Sequence, residues 1–356
     1  MRLSDSLAPL RHRQFALFWS GAFVSNTGTW METVAVGILV FEATDQAFWS
    51  GLVGAAGFAP GALLGPIGGA LADRFSRRRT LLITSAVQTV LASTLFVLAA
   101  RGDPAPGAVT LIVFGAGCAN ALGFPSYQAL LPDLVPKEEI VGAVALSSAQ
   151  WNLGRVIGPA LAGLVISAGG DRWGYAWAFA INAVSFFAVI VVLLVLSLPR
   201  PSASARVLSI WQSIRDGFSF SVREPGLRVV VIYMTINSLL AAPFIALVSP
   251  MALEVLDAGE GAVSALVTAQ GVGAVVMGLS LGPLAKTYGS RRVLEVVLWS
   301  LPVALIAYAL APGIVAAALL ALTVSFDDYV ITSMVAGVDS ETLPMVIYAM
   351  ARRGAS

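Results

Sequence analysis

Charged side chains lie deep inside two of the long apolar runs of the sequence. Glu32 is in the first run and Arg155 is in the fifth. A charge in such a run is costly unless it faces a protein interior, water or a partner. The carboxyl group could carry a proton, and the guanidinium could hold an anionic group or pair with Glu32. Two alternatives stay open: Glu32 lies near the outer mouth of its helix, and Arg155 forms a structural salt bridge or caps a carbonyl group.

Uncharged polar residues accompany this pair and could line a pathway for a ligand or a proton. These residues are Asn26, Asn120, Gln128 and Asn152. Each of them could instead form a hydrogen bond between helices. The sequence offers little other chemistry, because Cys118 is its only cysteine and His12 its only histidine. We therefore expect no metal site, no cofactor and no enzymatic activity.

The elements that position these residues are long and apolar. The chain of 356 residues is 58% hydrophobic and 12% charged, with a mean hydropathy of +0.85, whereas a soluble domain carries about 25% charged residues. This composition excludes a soluble enzyme, and the formal net charge of +1 gives no basic excess for nucleic acid. The apolar windows are uninterrupted, unlike the alternating strands of a β-barrel. We predict an all-α, polytopic membrane protein.

The sequence contains ten apolar windows separated by breaks rich in Gly, Pro and charge. They cover residues 15–41, 49–72, 81–100, 109–131, 140–168, 175–198, 229–253, 262–285, 294–311 and 314–324. Sixteen Lys and Arg residues lie in the N-terminal tail and the even-numbered connections, against two in the odd-numbered ones, Arg101 and Arg172. Cytoplasmic loops are enriched in these residues. We therefore expect a bacterial-type inner membrane protein with a cytoplasmic N-terminus.

A short motif after the second window recurs, in weaker form, after the eighth. Its first copy includes Gly69, Asp73, Arg74, Arg77 and Arg78, and the second copy, over residues 282–292, has a lysine in place of the acid. Duplicated motifs are expected of transporters built from two related bundles. We expect Gly69 to permit close helix packing and the charged residues to form a gating loop. In the alternative interpretation, the arginines only anchor the topology.

The first copy of this motif resembles the loop signature of the major facilitator superfamily, with Ser76 in place of its second glycine. A second segment resembles the fifth-helix antiporter motif of the drug and siderophore exporter branch, which includes the enterobactin exporter. Its motif residues are Gly154, Gly158, Pro159 and Gly163. Small residues and a proline bend at these positions would let the two halves pack closely. The resemblance covers about residues 1–310.

The resemblance implies a major-facilitator-type bundle that works as a secondary active transporter. The expected activity is proton-coupled export of a small amphipathic molecule, of the drug or siderophore class, by alternating access. The expected partners are that molecule, protons and the lipid bilayer, without nucleic acid. Residues 1–198 are expected to form a six-helix N-terminal bundle, 199–228 a cytoplasmic linker and 229–310 an incomplete C-terminal bundle of three helices.

The end of the chain, residues 311–356, is similar to a fragment of a spermidine/putrescine-type ABC transporter permease. The loop through which that permease family binds its ATPase has no counterpart in the sequence before residue 311, so no ATPase partner is expected. This segment leaves an alternative to transport. The chain could be a non-transporting, truncated fusion of a facilitator with a permease fragment.

Overall fold

The computed structural model describes residues 7–102, 104–197 and 244–324, together with residues 215, 219, 223, 224 and 228. Six long helices account for most of the first part. They are α1 (Arg13–Thr44), α2 (Ala47–Arg74), α3 (Arg77–Arg101), α4 (Pro106–Leu130), α5 (Ile140–Gly169) and α6 (Asp171–Val195). Short 3-10 helices precede α1 and join α4 to α5. They are Ala8–Arg11, Leu131–Asp133 and Lys137–Glu139.

The later part of the chain is also helical where it is described. It contains α7 (Phe244–Pro250), which continues into a π-helical turn (Met251–Val255), then α8 (Glu260–Tyr288), α9 (Ser290–Ala309) and α10 (Ile314–Val324). The predicted all-α class is confirmed.

Five of the described helices contain segments that are long and apolar enough to cross a membrane. The segments are Ala47–Gly65, Arg77–Arg101, Pro106–Asp133, Gly142–Gly169 and Trp173–Val195. The 32-residue α1 packs against α5 and α6, so it runs beside two of them. Large apolar side chains point outward, among them Leu111 at 70% and Val184 at 67% exposure. Such a surface suits lipid and not water, and the chain is a multi-pass membrane protein.

Consecutive helices of the first part run in opposite directions. One apolar cluster joins Phe15, Leu81 and Ala143, at the starts of α1, α3 and α5, to Leu130 and Leu193, at the ends of α4 and α6. The reversal after α3 depends on Gly102, whose φ of 82° lies in the left-handed region that glycine adopts without strain. The cluster therefore marks the end of the bundle where the chain enters α1.

Helices α2 and α4 cross at a glycine. A Cβ atom on Gly117 would lie 2.6 Å from the carbonyl oxygen of Gly57 and 3.0 Å from that of Ala56. The backbones therefore touch directly at this crossing, which is the packing that small residues permit between membrane helices.

The chain divides into two compact units, Met1–Ser264 and Ala265–Ser356. The predicted linker, 199–228, lies outside the described residues apart from five single positions, and so does the permease-like segment from residue 325 onward. The predicted seventh window, 229–253, is described only from residue 244. The four-part domain organisation therefore stays a prediction.

The crossing at Gly117 can be tested by adding single methyl groups. We expect Gly117→Ala to lower the apparent Tm of the purified protein by several degrees, because the new Cβ would collide with backbone oxygens that cannot rotate away. Gly61→Ala is the matched control, since no described atom lies within 4 Å of its Cβ position. Equal melting temperatures for the two variants would contradict the crossing.

Candidate functional site

The carboxyl group of Glu32 lies between α1 and α6. The side-chain nitrogen of Asn182 donates a hydrogen bond of 2.7 Å to Glu32 Oε2. The hydroxyl of Ser185 donates to the backbone oxygen of Asn182 at 2.7 Å and to its Oδ1 at 3.1 Å. Asn182 and Ser185 are buried, at 1% and 2% exposure. Glu32 thus receives a hydrogen bond from a neutral amide that a second residue holds in place.

Gly28, one helical turn before Glu32, makes this contact possible. A Cβ atom at this position would lie 2.5 Å from Asn182 Oδ1 and 2.8 Å from Ser185 Oγ. Any side chain larger than hydrogen would therefore displace the amide that binds Glu32. Asn182 was not among the predicted site residues, although it is the only asparagine in the sixth apolar window.

Arg155 lies on another side of α1, against Trp30. Its guanidinium carbon is 5.4 Å from the centre of the Trp30 ring, and the residue is 7% exposed. Trp151, one turn earlier on α5, meets Trp30 edge-on at a centroid distance of 5.8 Å. The cation therefore lies over an aromatic face, an attractive arrangement when water is excluded. Trp30 and Trp151 had not been predicted as partners of Arg155.

The predicted polar residues separate into two groups. Asn26 and Asn120 both line a cavity of about 110 Å³ inside the bundle. Asn152 instead donates to the backbone oxygen of Ser148 in its own helix, at 2.9 Å. Gln128 is exposed and is not among the residues that line this cavity.

A polar network around Tyr127, which was not among the predicted site residues, supports one wall of this cavity. The hydroxyl of Tyr127 donates to Gln150 Oε1 at 3.0 Å and lies 2.9 Å from the hydroxyl of Ser147. The ring of Phe18 stacks on Tyr127 at a centroid distance of 5.1 Å. The sequence contains one signal for this network. The next helix after Tyr127 carries two polar residues one turn apart, Ser147 and Gln150.

The loop-signature arginines connect helix ends. Arg77, at the start of α3, donates to the backbone oxygen of Ala129 at 2.8 Å and pairs with Asp133 at 2.5 Å. Arg78 donates to the backbone oxygen of Leu194 at 2.7 Å. Carbonyl groups in the last turn of a helix lack intrahelical partners and carry partial negative charge, so they favour a cation. These contacts join the start of α3 to the ends of α4 and α6.

Close packing near the loop signature occurs one residue before the predicted position. A Cβ atom on Gly68 would lie 2.5 Å from the backbone oxygen of Ala121, whereas one on Gly69 would meet no described atom within 4 Å. Among the described residues, close helix packing therefore occurs at Gly68 and not at Gly69 as the sequence predicted. The two differ because adjacent residues point about 100° apart around a helix. Arg74 is exposed, and the side chain of Asp73 lies outside the described residues.

The fifth-helix glycines also face α1. A Cβ atom on Gly158 would lie 2.6 Å from the Thr27 oxygen and 2.6 Å from Trp30 Cβ. One on Gly154 would be 3.3 Å from the backbone of Asn26. Packing at these two glycines is therefore between α5 and α1 of the first bundle, not between the two halves as the sequence suggested.

The fifth-helix motif also contains Gly163 and Pro159. Gly163 lies against Ser264, whose Oγ would be 2.8 Å from an added Cβ, within the same compact unit. Pro159 is buried inside α5.

Two further polar contacts join helices near their ends. His12 Nε2 lies 3.0 Å from Glu139 Oε2 at the starts of α1 and α5. Tyr175 donates a hydrogen bond of 2.7 Å to Glu42, near the opposite end of α1. Within the residues that the structure describes, no group of three or more His, Cys, Asp or Glu side chains is placed to hold a metal ion.

The structure thus combines an antiparallel bundle of membrane helices with polar groups buried between them. The sequence matches the family described as "Transmembrane secretion effector" over residues 4–343. The chain belongs to this family, within the major facilitator superfamily. The match includes part of the segment 311–356, whose resemblance to a permease stays a prediction.

Curated relatives include transporters of different molecules. The chain is 31% identical to the staphyloferrin A transporter of Staphylococcus aureus over 42% of this chain and 38% of that protein. It is 23% identical to macrolide efflux protein A of Streptococcus pyogenes over 79% of this chain and 69% of that protein. It is 27% identical to the enterobactin exporter EntS of Shigella boydii over 78% of this chain and 65% of that protein. The aligned part thus spans 38% to 69% of these relatives' lengths.

Solved structures share the fold. A variant of the nucleoside transporter NupG superposes with a TM-score of 0.65 at 14% identity, covering 90% of this chain and 81% of that chain. The D-xylose-proton symporter superposes with a TM-score of 0.59 at 16% identity, covering 87% and 80%. The predicted major-facilitator-type architecture is confirmed.

The contacts of Arg77 can be separated by substitution. We expect Arg77→Ala to lower the apparent Tm more than Asp133→Ala, because it removes a hydrogen bond to the Ala129 carbonyl as well as the ion pair. Both partners are more than one third exposed, so a double-mutant cycle should give a coupling below about 1 kcal/mol. Arg79→Ala, at an exposed neighbouring position, is the control. A larger effect of Asp133→Ala would contradict this assignment.

Proposed function

We propose that the chain is a secondary active transporter that exports a small amphipathic molecule of the drug or siderophore class and is driven by proton antiport. Family membership supports the transporter class, and the macrolide efflux protein and the enterobactin exporter among its relatives support export. The observation that carries the coupling proposal is the hydrogen bond between Glu32 and Asn182. It places a titratable group among membrane helices beside a neutral partner.

Glu32 has the properties that a coupling residue needs. It is partly exposed, so a proton can reach it, while the surrounding helices cover the rest of the side chain. Its amide partner donates one hydrogen bond to a carboxylate and leaves the second carboxyl oxygen available for a proton. An intramembrane carboxyl of this kind is a typical member of a proton relay in transporters.

The remaining predicted residues have supporting roles in this proposal. Asn26 and Asn120 contribute to the substrate pathway through the cavity. Arg155 stabilises the contact between α1 and α5 through Trp30. The arginines of the loop signature hold helix ends at the cytoplasmic side, and their release would accompany gating. Energy comes from the proton gradient, and no ATPase partner is required.

The coupling role is tested with Glu32→Gln in inverted membrane vesicles. Glutamine retains the shape and can still accept a hydrogen bond from Asn182, but it cannot titrate. With an imposed pH gradient and radiolabelled enterobactin as substrate, we expect gradient-driven uptake to fall at least about tenfold, the effect of losing an obligatory proton carrier. Substrate exchange without a gradient should persist.

Glu42→Gln is the matched control, because Glu42 lies on the same helix and binds the Tyr175 hydroxyl. Its uptake should stay within about twofold of the parent protein, as expected for the loss of a single part-buried hydrogen bond away from the proton pathway. Full gradient-driven uptake by Glu32→Gln would reject the coupling role. Uptake that responds to ATP but not to the pH gradient would reject secondary transport itself.

The proposed orientation places the N-terminus and the connection between α2 and α3 in the cytoplasm. In a Cys118→Ser background, a membrane-impermeant maleimide added to spheroplasts should label Gln46→Cys, between α1 and α2. It should label Ser76→Cys, between α2 and α3, only after the membrane is opened. The reverse pattern would show the opposite orientation, and the cysteine-free background measures non-specific labelling.

A further inference from the structure

The cavity of about 110 Å³ is built entirely within the first compact unit. Side chains of α1, α3, α4, α5 and α6 line it, and neither Glu32 nor Arg155 is among them. An apolar cavity of about 150 Å³ in a soluble protein accommodates benzene. The space is smaller than that cavity but is partly open, so it can take up one aromatic ring.

Aromatic side chains form much of the cavity wall. They are Phe18, Phe124, Tyr127, Trp151 and Phe186. Two contacts hold this wall in place: Phe18 stacks on Tyr127, and the Tyr127 hydroxyl is bound by Gln150. Aromatic rings pair favourably in stacked or edge-on geometries, and a wall that is already ordered reduces the entropic cost of binding a ring.

Three amide side chains supply the polar part of the lining. Asn26, Gln88 and Asn120 come from three different helices. Among the contacts that the structure describes, none of these amides has a hydrogen-bond partner in the protein. Each can both donate and accept, so a bound molecule with either kind of group finds a partner there.

The lining has no acidic or basic residue among the residues that the structure describes. A charged ligand entering this space would lose hydration without gaining a counter-charge, which is unfavourable in a low-dielectric site. An anion would also face the negative ring surfaces. A cation would be attracted to the ring faces, but this attraction is smaller than the cost of burying a charge that has no counter-charge. The chemistry of the wall therefore favours an uncharged molecule.

We propose that this cavity binds an uncharged aromatic ring that carries a hydrogen-bonding group, and that the cargo presents such a group to it. The inference rests on the proposed function, because it treats the ligand of the cavity as cargo. Within the drug and siderophore class it selects molecules with a neutral ring over polyanions. Recognition occurs inside the first bundle, through amides on α1, α3 and α4.

Three small molecules of nearly equal shape test the charge preference: benzamide, benzoate and benzamidinium. Their dissociation constants are measured by saturation-transfer NMR with the whole chain in lipid nanodiscs. We expect benzamide to bind at least about tenfold more tightly than either ion, since uncompensated burial of a charge costs more than the 1.4 kcal/mol that corresponds to tenfold.

Variants of Asn120 locate the binding to this cavity. Asn120→Leu should weaken benzamide binding at least about fivefold by removing a hydrogen-bond partner. Asn120→Asp, which conserves shape, should shift the preference to benzamidinium. Thr94→Val is the control, because Thr94 is exposed on α3 and bonds only within its own helix. Its affinity for benzamide should match that of the parent protein.

Tight binding of benzoate or benzamidinium by the parent protein would overturn the neutral-ring assignment. So would undetectable benzamide binding, or benzamide binding that is unaffected by both Asn120 variants. These outcomes are distinct from a failure of the proposed function. If the binding pattern holds but vesicles show no gradient-driven transport, the ligand class stands and the transport proposal fails.

Discussion

The close approach of α1 to α5 and α6 is the constraint on which the rest of the first bundle depends. Gly28 brings the α1 backbone against Asn182, and Gly158 brings α5 against Thr27 and Trp30. In a bilayer, water does not drive helices together, so packing of small residues and interhelical hydrogen bonds must do so. The Glu32 contact, the Arg155 stack and the Asn26 side of the cavity all follow from the position of α1.

The helices themselves could be predicted from the sequence. The apolar window 81–100 corresponds to α3 at Arg77–Arg101, and the window 109–131 to α4 at Pro106–Leu130. The prediction of the helices succeeds because an apolar segment long enough to cross a bilayer can satisfy its backbone hydrogen bonds there only as a helix or in a closed barrel. Glu32 and Arg155 could also be singled out, since a charge in such a run conflicts with its surroundings. Their partners could not, because sequence spacing does not show which helices are neighbours.

The direction in which a residue faces was harder to predict than its position along the chain. Gly68 and Gly69 are adjacent and both small, yet only Gly68 meets α4 among the described residues. The resemblance to the loop signature pointed to Gly69. Which of the two glycines contacts α4 depends on the rotation of α2 about its own axis, and tertiary packing determines that rotation. For the same reason Gly154 and Gly158 face α1, a helix that starts well over a hundred residues earlier.

The partners of α1 also impose an order on biosynthesis. Glu32 and Asn182 are separated by 150 residues, and His12 and Glu139 by 127. At about 5–20 residues per second, the ribosome needs roughly 8–30 s to make Asn182 after Glu32. During that interval the carboxyl group has no amide to bind, and leaving it in lipid is costly. The carboxyl group of α1 therefore lacks its native partner until α6 has been made, so α1 reaches its final surroundings well after its own synthesis.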